Sequence, residues 1–235
     1  MFSVESLKKV LRIAKDFEKI LVNMNTDDIE ICVSDGNDKI GKVLNVSLMP
    51  IVTCCNCSEC KFLCYDIKAC LQYAKTVIWA RMRNTILYRR DPEKYFSLIR
   101  KKLKNRRKNF YFRWHVAGDI PDAKYFAEMV AIAIEFPNFI FWTYTKNYKV
   151  VNDFVRKNGK SAIPGNFHIM FSKWDGMKMN NPFNFPMYAC KLKNGNKDTS
   201  EEEFKSMFLC PGNCDVCKAI NRGCIKGENT FVHEH

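Results

Sequence analysis

Ten of the twelve cysteines in this 235-residue chain fall into two short stretches of sequence. The tail stretch has the spacing C-x3-C-x2-C followed by one further cysteine. This spacing suits a tetrahedral zinc ion or an iron–sulfur cluster, whereas two disulfides in so short a segment would be strained. We name the first cysteine group (Cys54, Cys55, Cys57, Cys60, Cys64 and Cys70) and the tail cysteine group (Cys210, Cys214, Cys217 and Cys224), and we predict a thiolate metal site at each.

The first cysteine group has more sulfurs than one metal centre requires. Cys60 and Cys64 are one helical turn apart and Cys54 follows a predicted strand, so these three are the preferred ligands. Three thiolates leave one iron of a four-iron cluster without a protein ligand, and a small molecule can then bind that iron. The alternative ligands, which are otherwise free thiols near the site, are Cys55, Cys57 and Cys70.

A reducing environment is the predicted setting for these thiols. The residues after Met1 lack the apolar run of a cleavable leader, and the stretch from Leu7 to Val22 is lysine-rich and amphipathic. No stretch approaches the roughly 18 uninterrupted apolar residues of a membrane-spanning helix. We therefore expect a cytoplasmic protein with no membrane partner, in which cysteines bind metal rather than each other.

The formal net charge of +13 is concentrated in the segment 81-108, which has twelve Lys or Arg against Asp91 and Glu93 alone. A solvated helical face with a buried apolar stripe is the ordinary explanation of such a segment. The alternative is a surface for RNA, DNA or an anionic substrate, since clustered Lys and Arg gain affinity for phosphates by releasing counterions.

The elements that must position these residues alternate in type along the chain. The patterns predict strands at Val43–Val52, Phe110–Val116, Phe139–Thr145 and Phe167–Phe171, and helices at Ser3–Val22, Ser58–Leu103 (broken near Asp91-Pro92), Ala123–Glu135 and Val150–Lys157. Such alternation predicts an α/β fold whose parallel sheet forms a partial (β/α) barrel. The predicted division is an N-terminal helix and turn region at 1-40, the partial barrel at 41-192 and a cysteine-rich extension at 193-235.

In parallel sheets of this kind, reactive groups lie at the carboxyl ends of the strands. Gly118 and Asp119 form a glycine-acid turn after the second predicted strand. Arg113 and His115 are two residues apart, so a regular strand would point both to one face, where they could bind a carboxylate or phosphate. Tyr144 lies near the exit of the next strand. For His115 and Tyr144 the alternative is an ordinary place in the core.

Several segments resemble the gene product 88 domain, a family found largely in phages and plasmids. They are Gly41-Lys-Val, Thr53-Cys54, Cys60-x3-Cys64-Tyr65, Arg83-Asn84, Asp91-Pro92, Arg113 to Asp119, Phe141 to Lys146 and the tail ending in Phe231-Val-His233. The resemblance extends over roughly 36–235. It departs at Cys55, where a proline often stands, and at Asp66, where a small residue is common. It implies a fold, a metal site and, if a phage encodes the chain, the cytoplasm of the host cell.

That family is in turn similar to radical S-adenosylmethionine (SAM) proteins. Those enzymes place a three-cysteine iron–sulfur cluster after the first barrel strand and a glycine-acid turn after the second, where it holds the methionine amino group. The resemblance implies that Cys54, Cys60 and Cys64 hold the cluster and that Gly118 and Asp119 hold SAM, because glycine allows close approach and a carboxylate pairs with an ammonium. The C-x3-C-x2-C spacing usual in those enzymes occurs instead in the tail cysteine group.

Three hypotheses follow. The first is a radical SAM-like enzyme with one or two iron–sulfur clusters, of the 4Fe-4S type. The second is an iron–sulfur protein that transfers electrons or senses a signal and does not catalyse a reaction. The third is a zinc-stapled protein without enzymatic activity that binds nucleic acid through the basic segment 81-108.

Overall fold

The structure is a computed structural model that describes residues 2–38, 40–57 and 59–234, with only the backbone of Glu59. The α-helices are α1 Val4–Asn23, α2 Tyr65–Gln72, α3 Ala74–Arg90, α4 Pro92–Lys104, α5 Ala123–Glu135, α6 Tyr148–Asn158, α7 Glu201–Lys205 and α8 Cys214–Ile220. The strands are β1 Val33–Ser34, β2 Leu44–Val46, β3 Tyr111–Trp114, β4 Ile140–Thr145, β5 Phe167–Lys173, β6 Met187–Lys191, β7 Phe208–Leu209 and β8 Thr230–His233. Short 3₁₀ helices are found at Thr26–Asp28, Glu59–Phe62, Lys160–Ala162 and Gly223–Lys226.

Backbone packing divides the chain into two compact units. The first consists of the residues up to Val33 together with Val46–Arg106 and His115–Asp119. The second consists of Ser34–Asn45, Arg107–Trp114 and the residues from Ile120 onward. The functional division into 1-40, 41-192 and 193-235 stays a prediction.

The first unit is helical, with α1, α2 and α4 packed around α3. Helix α1 begins where the Ser3 hydroxyl accepts the N–H of Ser6, and α4 begins with Pro92 after Asp91 accepts the N–H of Lys94. The predicted break at Asp91-Pro92 is therefore present. The predicted single helix before it is wrong, because the chain also ends a helix at Tyr73.

Asn84 holds two non-helical segments of the first unit together. Its side-chain oxygen accepts the N–H of Cys32 at 2.8 Å, and its side-chain amide donates to the carbonyls of Cys32 and Ser47, both at 2.9 Å. Only 1% of Asn84 is exposed, so these bonds satisfy a buried amide. The next residue, Thr85, accepts the N–H of Met49 at 2.8 Å, which helps to explain why the predicted strand Val43–Val52 is only three residues long.

The strands form a mostly parallel sheet with the order β1-β2-β3-β4-β5-β6-β8-β7, and the strands from β3 to β7 in this order belong to the second unit. Neighbouring strands from β3 to β7 in this order are parallel. A mixed α/β fold with a mainly parallel sheet is thus confirmed. The order ends at β1 and β7, so strand pairing among the described residues does not close a barrel, and the partial barrel stays a prediction.

The two faces of the central strands bury different residues. On one face the ring of Phe126 from α5 lies 5.1 Å from that of Phe154 from α6 and 6.3 Å from that of Phe167. On the other face Trp142 and Met170 pack against the tail of the chain. Strands β6 and β8 extend the sheet beyond β5. They lie in a segment for which the sequence predicts no regular element. None of the described helices combines the length and the apolar character that crossing a bilayer requires.

Candidate functional site

The tail cysteine group lies in the second unit, on the sheet face that contains Trp142 and Met170. Cys210 follows β7, Cys214 and Cys217 are one turn apart on α8, and Cys224 lies in the 3₁₀ helix at Gly223–Lys226. Cys217 and Cys224 are buried and the other two are half-buried, and all four are free thiols.

The four tail sulfurs are close enough to influence one another electrostatically. Burial, together with the sulfurs of Cys210, Cys224 and Cys214, raises the pKa of Cys217 to about 12. Burial likewise raises the pKa of Cys224 to about 11, with Cys210 again contributing. Cys217 and Cys224 therefore keep their protons at neutral pH unless a cation replaces them.

Two side chains from β3 and β4 donate to these sulfurs, and Thr230 on β8 also hydrogen-bonds to Cys224. The guanidinium of Arg113 on β3 hydrogen-bonds to Cys214, and the hydroxyl of Tyr144 on β4 hydrogen-bonds to Cys224; each interaction lowers the pKa of its thiol. The Arg113 guanidinium also lies 4.7 Å from the centroid of the Tyr144 ring, which holds the two donors together. Burial raises the pKa of Tyr144, so its hydroxyl stays protonated and able to donate.

Asp215 anchors the first turn of α8, between Cys214 and Cys217. The N–H of Lys42 points at both of its carboxylate oxygens, at 3.3 and 3.2 Å, and Lys218 forms an ion pair with it. Lys218, whose hydrogen bond lowers the pKa of Asp215, also lies 5.3 Å from the centroid of the Tyr111 ring. These contacts fix the helix that presents two of the four tail sulfurs.

The first cysteine group lies in the first unit. The Cys57 thiol hydrogen-bonds to those of Cys54 and Cys60; the bond to Cys54, with burial, raises the pKa of Cys57 to about 12, while the bond to Cys60 lowers it. Cys64 precedes α2, and burial raises its pKa. The amides of Asp66 and Ile67 face its sulfur and lower that pKa, although no side-chain capping bond forms.

The two remaining thiols of the first group lie in different surroundings. Cys55 is exposed, whereas Cys70 is fully buried and its sulfur donates to Asp66 at 3.7 Å. Arg81 forms an ion pair with Asp66 at 3.1 Å. This pair gives the buried Asp66 carboxylate a charged partner.

The Gly118-Asp119 turn packs directly on the residue that precedes Cys54. The N–H of Asp119 donates to the Thr53 hydroxyl at 3.4 Å, and that hydroxyl donates to the carbonyl of Met49 at 2.9 Å. Gly118 has a φ of 81°, and a Cβ atom there would lie 2.8 Å from the Thr53 hydroxyl. The glycine-acid turn and the start of the first cysteine group are therefore neighbours.

The other predicted site residues divide between the two units. His115 belongs to the first unit with Gly118 and Asp119, while Arg113 and Tyr144 belong to the second. Strand β3 ends at Trp114 and His115 has a φ of 55°, so the two-residue alternation that predicts a shared face does not extend to His115. Burial lowers its pKa to about 3.

Among the residues that the structure describes, no three Cys, His, Asp or Glu side chains are arranged so that they could hold a metal ion. The thiols of each cysteine group interact, but they do not form a ready coordination shell. Metal binding at either group therefore stays a prediction.

Several cations of the basic segment 81-108 contribute to folding, which the charge pattern does not reveal. Arg90 donates to the carbonyls of Leu21 and Met24 at 2.8 and 2.7 Å, near the end of α1. The other members of this set are Arg81 with Asp66, Arg89 with Glu18 and Lys94 with Asp27. Lys101 and Lys102 on α4 are exposed.

The protein is thus an α/β protein with a mainly parallel sheet, and the cysteine-rich tail covers one face of this sheet. The first cysteine group forms a second thiol-rich region. The chain belongs to the gene product 88 family, whose model matches residues 31–188. The match includes the first cysteine group and the Gly118-Asp119 turn, and it ends before the tail cysteine group. The comparisons with curated proteins and with solved structures gave no match.

Proposed function

We propose that this protein is an iron–sulfur protein in which the tail cysteine group binds one 4Fe-4S cluster. The observation that carries this proposal is the convergence of four free thiols under two hydrogen-bond donors, Arg113 and Tyr144. A cluster held by four thiolates carries negative charge, and hydrogen bonds to its sulfurs help to set its potential. A guanidinium and a phenol in these positions suit that charge.

The donor set fits such a cluster chemically, although the thiols do not form a ready shell. Ligand arrangement and metal binding are commonly coupled, because ligands must lose protons and move together as the metal enters. Cys210 and the residues near it would close around the metal, while Asp215 keeps α8 fixed on the Lys42 amide.

We propose that the first cysteine group holds a second cluster through Cys54, Cys60 and Cys64, and that SAM binds beside it. The contact between the Asp119 amide and Thr53 supports this, since it brings the glycine-acid turn to the residue preceding Cys54. In this proposal the Asp119 carboxylate pairs with the SAM ammonium. Cys57 is the competing fourth ligand, because its thiol already contacts two of the three.

Anaerobic purification with analysis of iron, acid-labile sulfide and zinc tests the first proposal. We expect iron and labile sulfide in the wild type, and a partial loss of both in Cys217→Ser and in Cys54→Ser. Cys190→Ser is the matched control, because Cys190 is a half-buried free thiol outside both groups. Stoichiometric zinc without labile sulfide would overturn the iron–sulfur proposal.

The electron paramagnetic resonance spectrum of the reduced protein tests the second proposal. SAM should perturb the signal lost in Cys54→Ser, and Asp119→Ala should weaken that perturbation. The Cys57→Ala variant should keep both the signal and the response. A spectrum unchanged at saturating SAM, or a cluster that disappears in Cys57→Ala, would leave an electron-transfer or sensing role for the first group.

A zinc-stapled protein that binds nucleic acid is the second candidate, and the exposure of Lys101 and Lys102 on α4 supports it. Phosphate contacts release counterions, so binding to duplex DNA or RNA should weaken steeply with salt. Lys101→Glu together with Lys102→Glu should abolish that binding, while Lys149→Glu on α6 should not. Zinc in the purified protein together with this behaviour would favour the second candidate.

A further inference from the structure

Trp142 on β4 presents a buried polar atom that lacks a partner. Its side chain is fully buried, and the indole nitrogen Nε1 makes no hydrogen bond to any described residue. Native proteins rarely leave such a donor unsatisfied, and each exception calls for an explanation such as a missing ligand or ion.

The surroundings of Trp142 contain few groups that could accept this N–H. Its buried neighbours on that sheet face are Val43, Met170, Cys217, Cys224 and Ile225. Among these buried side chains the acceptors are sulfur atoms, and the partly buried members of the cluster add the hydroxyls of Tyr111, Tyr144 and Tyr188 and the sulfur of Cys214. A thioether or a neutral thiol is a weak acceptor, whereas a thiolate that binds a metal carries charge and accepts a far stronger hydrogen bond.

The strand register places Trp142 among the donors already assigned to the tail thiols. Trp142 pairs with Arg113 of β3, and Tyr144 lies two residues further along β4 on the same face. Arg113 reaches Cys214 and Tyr144 reaches Cys224. This face of β3 and β4 thus carries three hydrogen-bond donors: a guanidinium, a phenol and an indole.

We propose that Trp142 is a positioning residue whose indole N–H donates to a metal-bound sulfur of the tail cysteine group. The inference rests on the proposed metal binding and deepens it. A loaded centre would give the indole a partner, which no described residue provides. Loading is therefore favoured, and the hydrogen bond stabilises the reduced, more negative state of an iron–sulfur cluster.

The test compares Trp142→Phe with Trp114→Phe, a matched control at a fully buried tryptophan on the opposite face of the sheet. The redox potential of the cluster that is lost in Cys217→Ser is measured in each protein. Trp142→Phe should keep its iron but shift this potential to more negative values and lose iron faster to a chelator. Trp114→Phe should do neither.

A measurement on the unmutated protein keeps the inference falsifiable if Trp142→Phe fails to fold. The indole ¹H–¹⁵N resonances of the four tryptophans are recorded without metal and after loading with Zn²⁺, which four thiolates also bind. The Trp142 resonance should move downfield on loading while that of Trp114 stays in place.

The outcomes separate the two claims. A loaded protein whose Trp142 resonance does not move, or a folded Trp142→Phe variant with full iron and the wild-type potential, overturns the role of Trp142 and leaves metal binding intact. A wild type that takes up neither iron nor Zn²⁺ overturns the proposed function and this inference with it.

Discussion

The carboxylate of Asp215 occupies the space that a Cβ atom on Gly41 would need. The three carboxylate atoms would lie only 2.3 to 2.6 Å from that Cβ, and Gly41 has a φ of 66°. The next residue, Lys42, directs its N–H at the same carboxylate. A glycine 173 residues before Cys214 thus lets the backbone approach the helix that presents the tail thiols.

Gly41→Ala should therefore destabilise the protein by more than backbone strain alone, which costs about 1–2 kcal/mol for an alanine in the left-handed region. Chemical denaturation measures the change. Gly195→Ala is the matched control, because Gly195 has a φ of 81° and nothing within 4 Å of its would-be Cβ. Adding Asp215→Ala to Gly41→Ala should recover the excess loss. Equal losses in the two single glycine variants would contradict the steric explanation.

The buried ion pair between Asp66 and Arg81 should make a large contribution once one partner is removed. Asp66 is 2% exposed and the Arg81 side chain 19%, so Asp66→Ala leaves a cation without its partner in a largely dry site. We expect a loss of about 3–5 kcal/mol in the free energy of unfolding. Glu18→Ala, which breaks the exposed pair with Arg89, should cost less than about 1 kcal/mol. Similar costs for both variants would argue against burial as the cause.

The sequence allowed prediction of the features that depend on local pattern. The spacing of the cysteines, the alternation of strands and helices and the break at Asp91-Pro92 are all read from neighbouring residues. The family was also recognisable from its motifs, and its model confirms it over 31–188.

The features that the sequence did not predict depend on contacts between residues far apart in the chain. The role of Arg113 and Tyr144 in cofactor binding stays a prediction, whereas their hydrogen bonds to the tail thiols are not predicted by the sequence. Cys214 lies 101 residues after Arg113, and Cys224 lies 80 residues after Tyr144. The strands β6 and β8 are short and flanked by Asn, Pro and Gly, so they lack the apolar alternation that identifies longer strands.

Arg90 provides a test of whether the basic segment serves folding. Its guanidinium donates to the carbonyls of Leu21 and Met24, near the end of α1, where helix carbonyls lack intrahelical partners. Arg90→Ala should lower the free energy of unfolding by about 0.5–1.5 kcal/mol, the usual net contribution of a hydrogen bond, because water can reach these partly exposed groups. Lys101→Ala, at an exposed position on α4, should leave stability unchanged. The opposite ranking in a denaturation experiment would contradict a role of Arg90 in folding.

His115 should make the free energy of unfolding decrease as the pH falls below 6.5. Its folded pKa is lowered by burial to about 3, below the value of 6.5 for an unfolded histidine. Above pH 6.5 both states are neutral and stability is independent of this group. Below pH 6.5 His115 is protonated in the unfolded chain but stays neutral in the native protein. The free energy of unfolding therefore falls by about 1.4 kcal/mol for each pH unit down to the folded pKa.

His115→Gln removes the titrating group, so the variant should lose less stability on acidification than the wild type. Urea denaturation at pH 7 and at pH 5 measures the free energy of unfolding of both proteins. From pH 6.5 to pH 5 the wild type should lose about 2 kcal/mol more than the variant, which follows from the slope given above. His168→Gln should change the acid dependence in the same direction, because burial and Lys226 also lower the pKa of His168. A difference between wild type and His115→Gln that stays constant from pH 7 to pH 5 would show that the folded pKa of His115 equals its unfolded value.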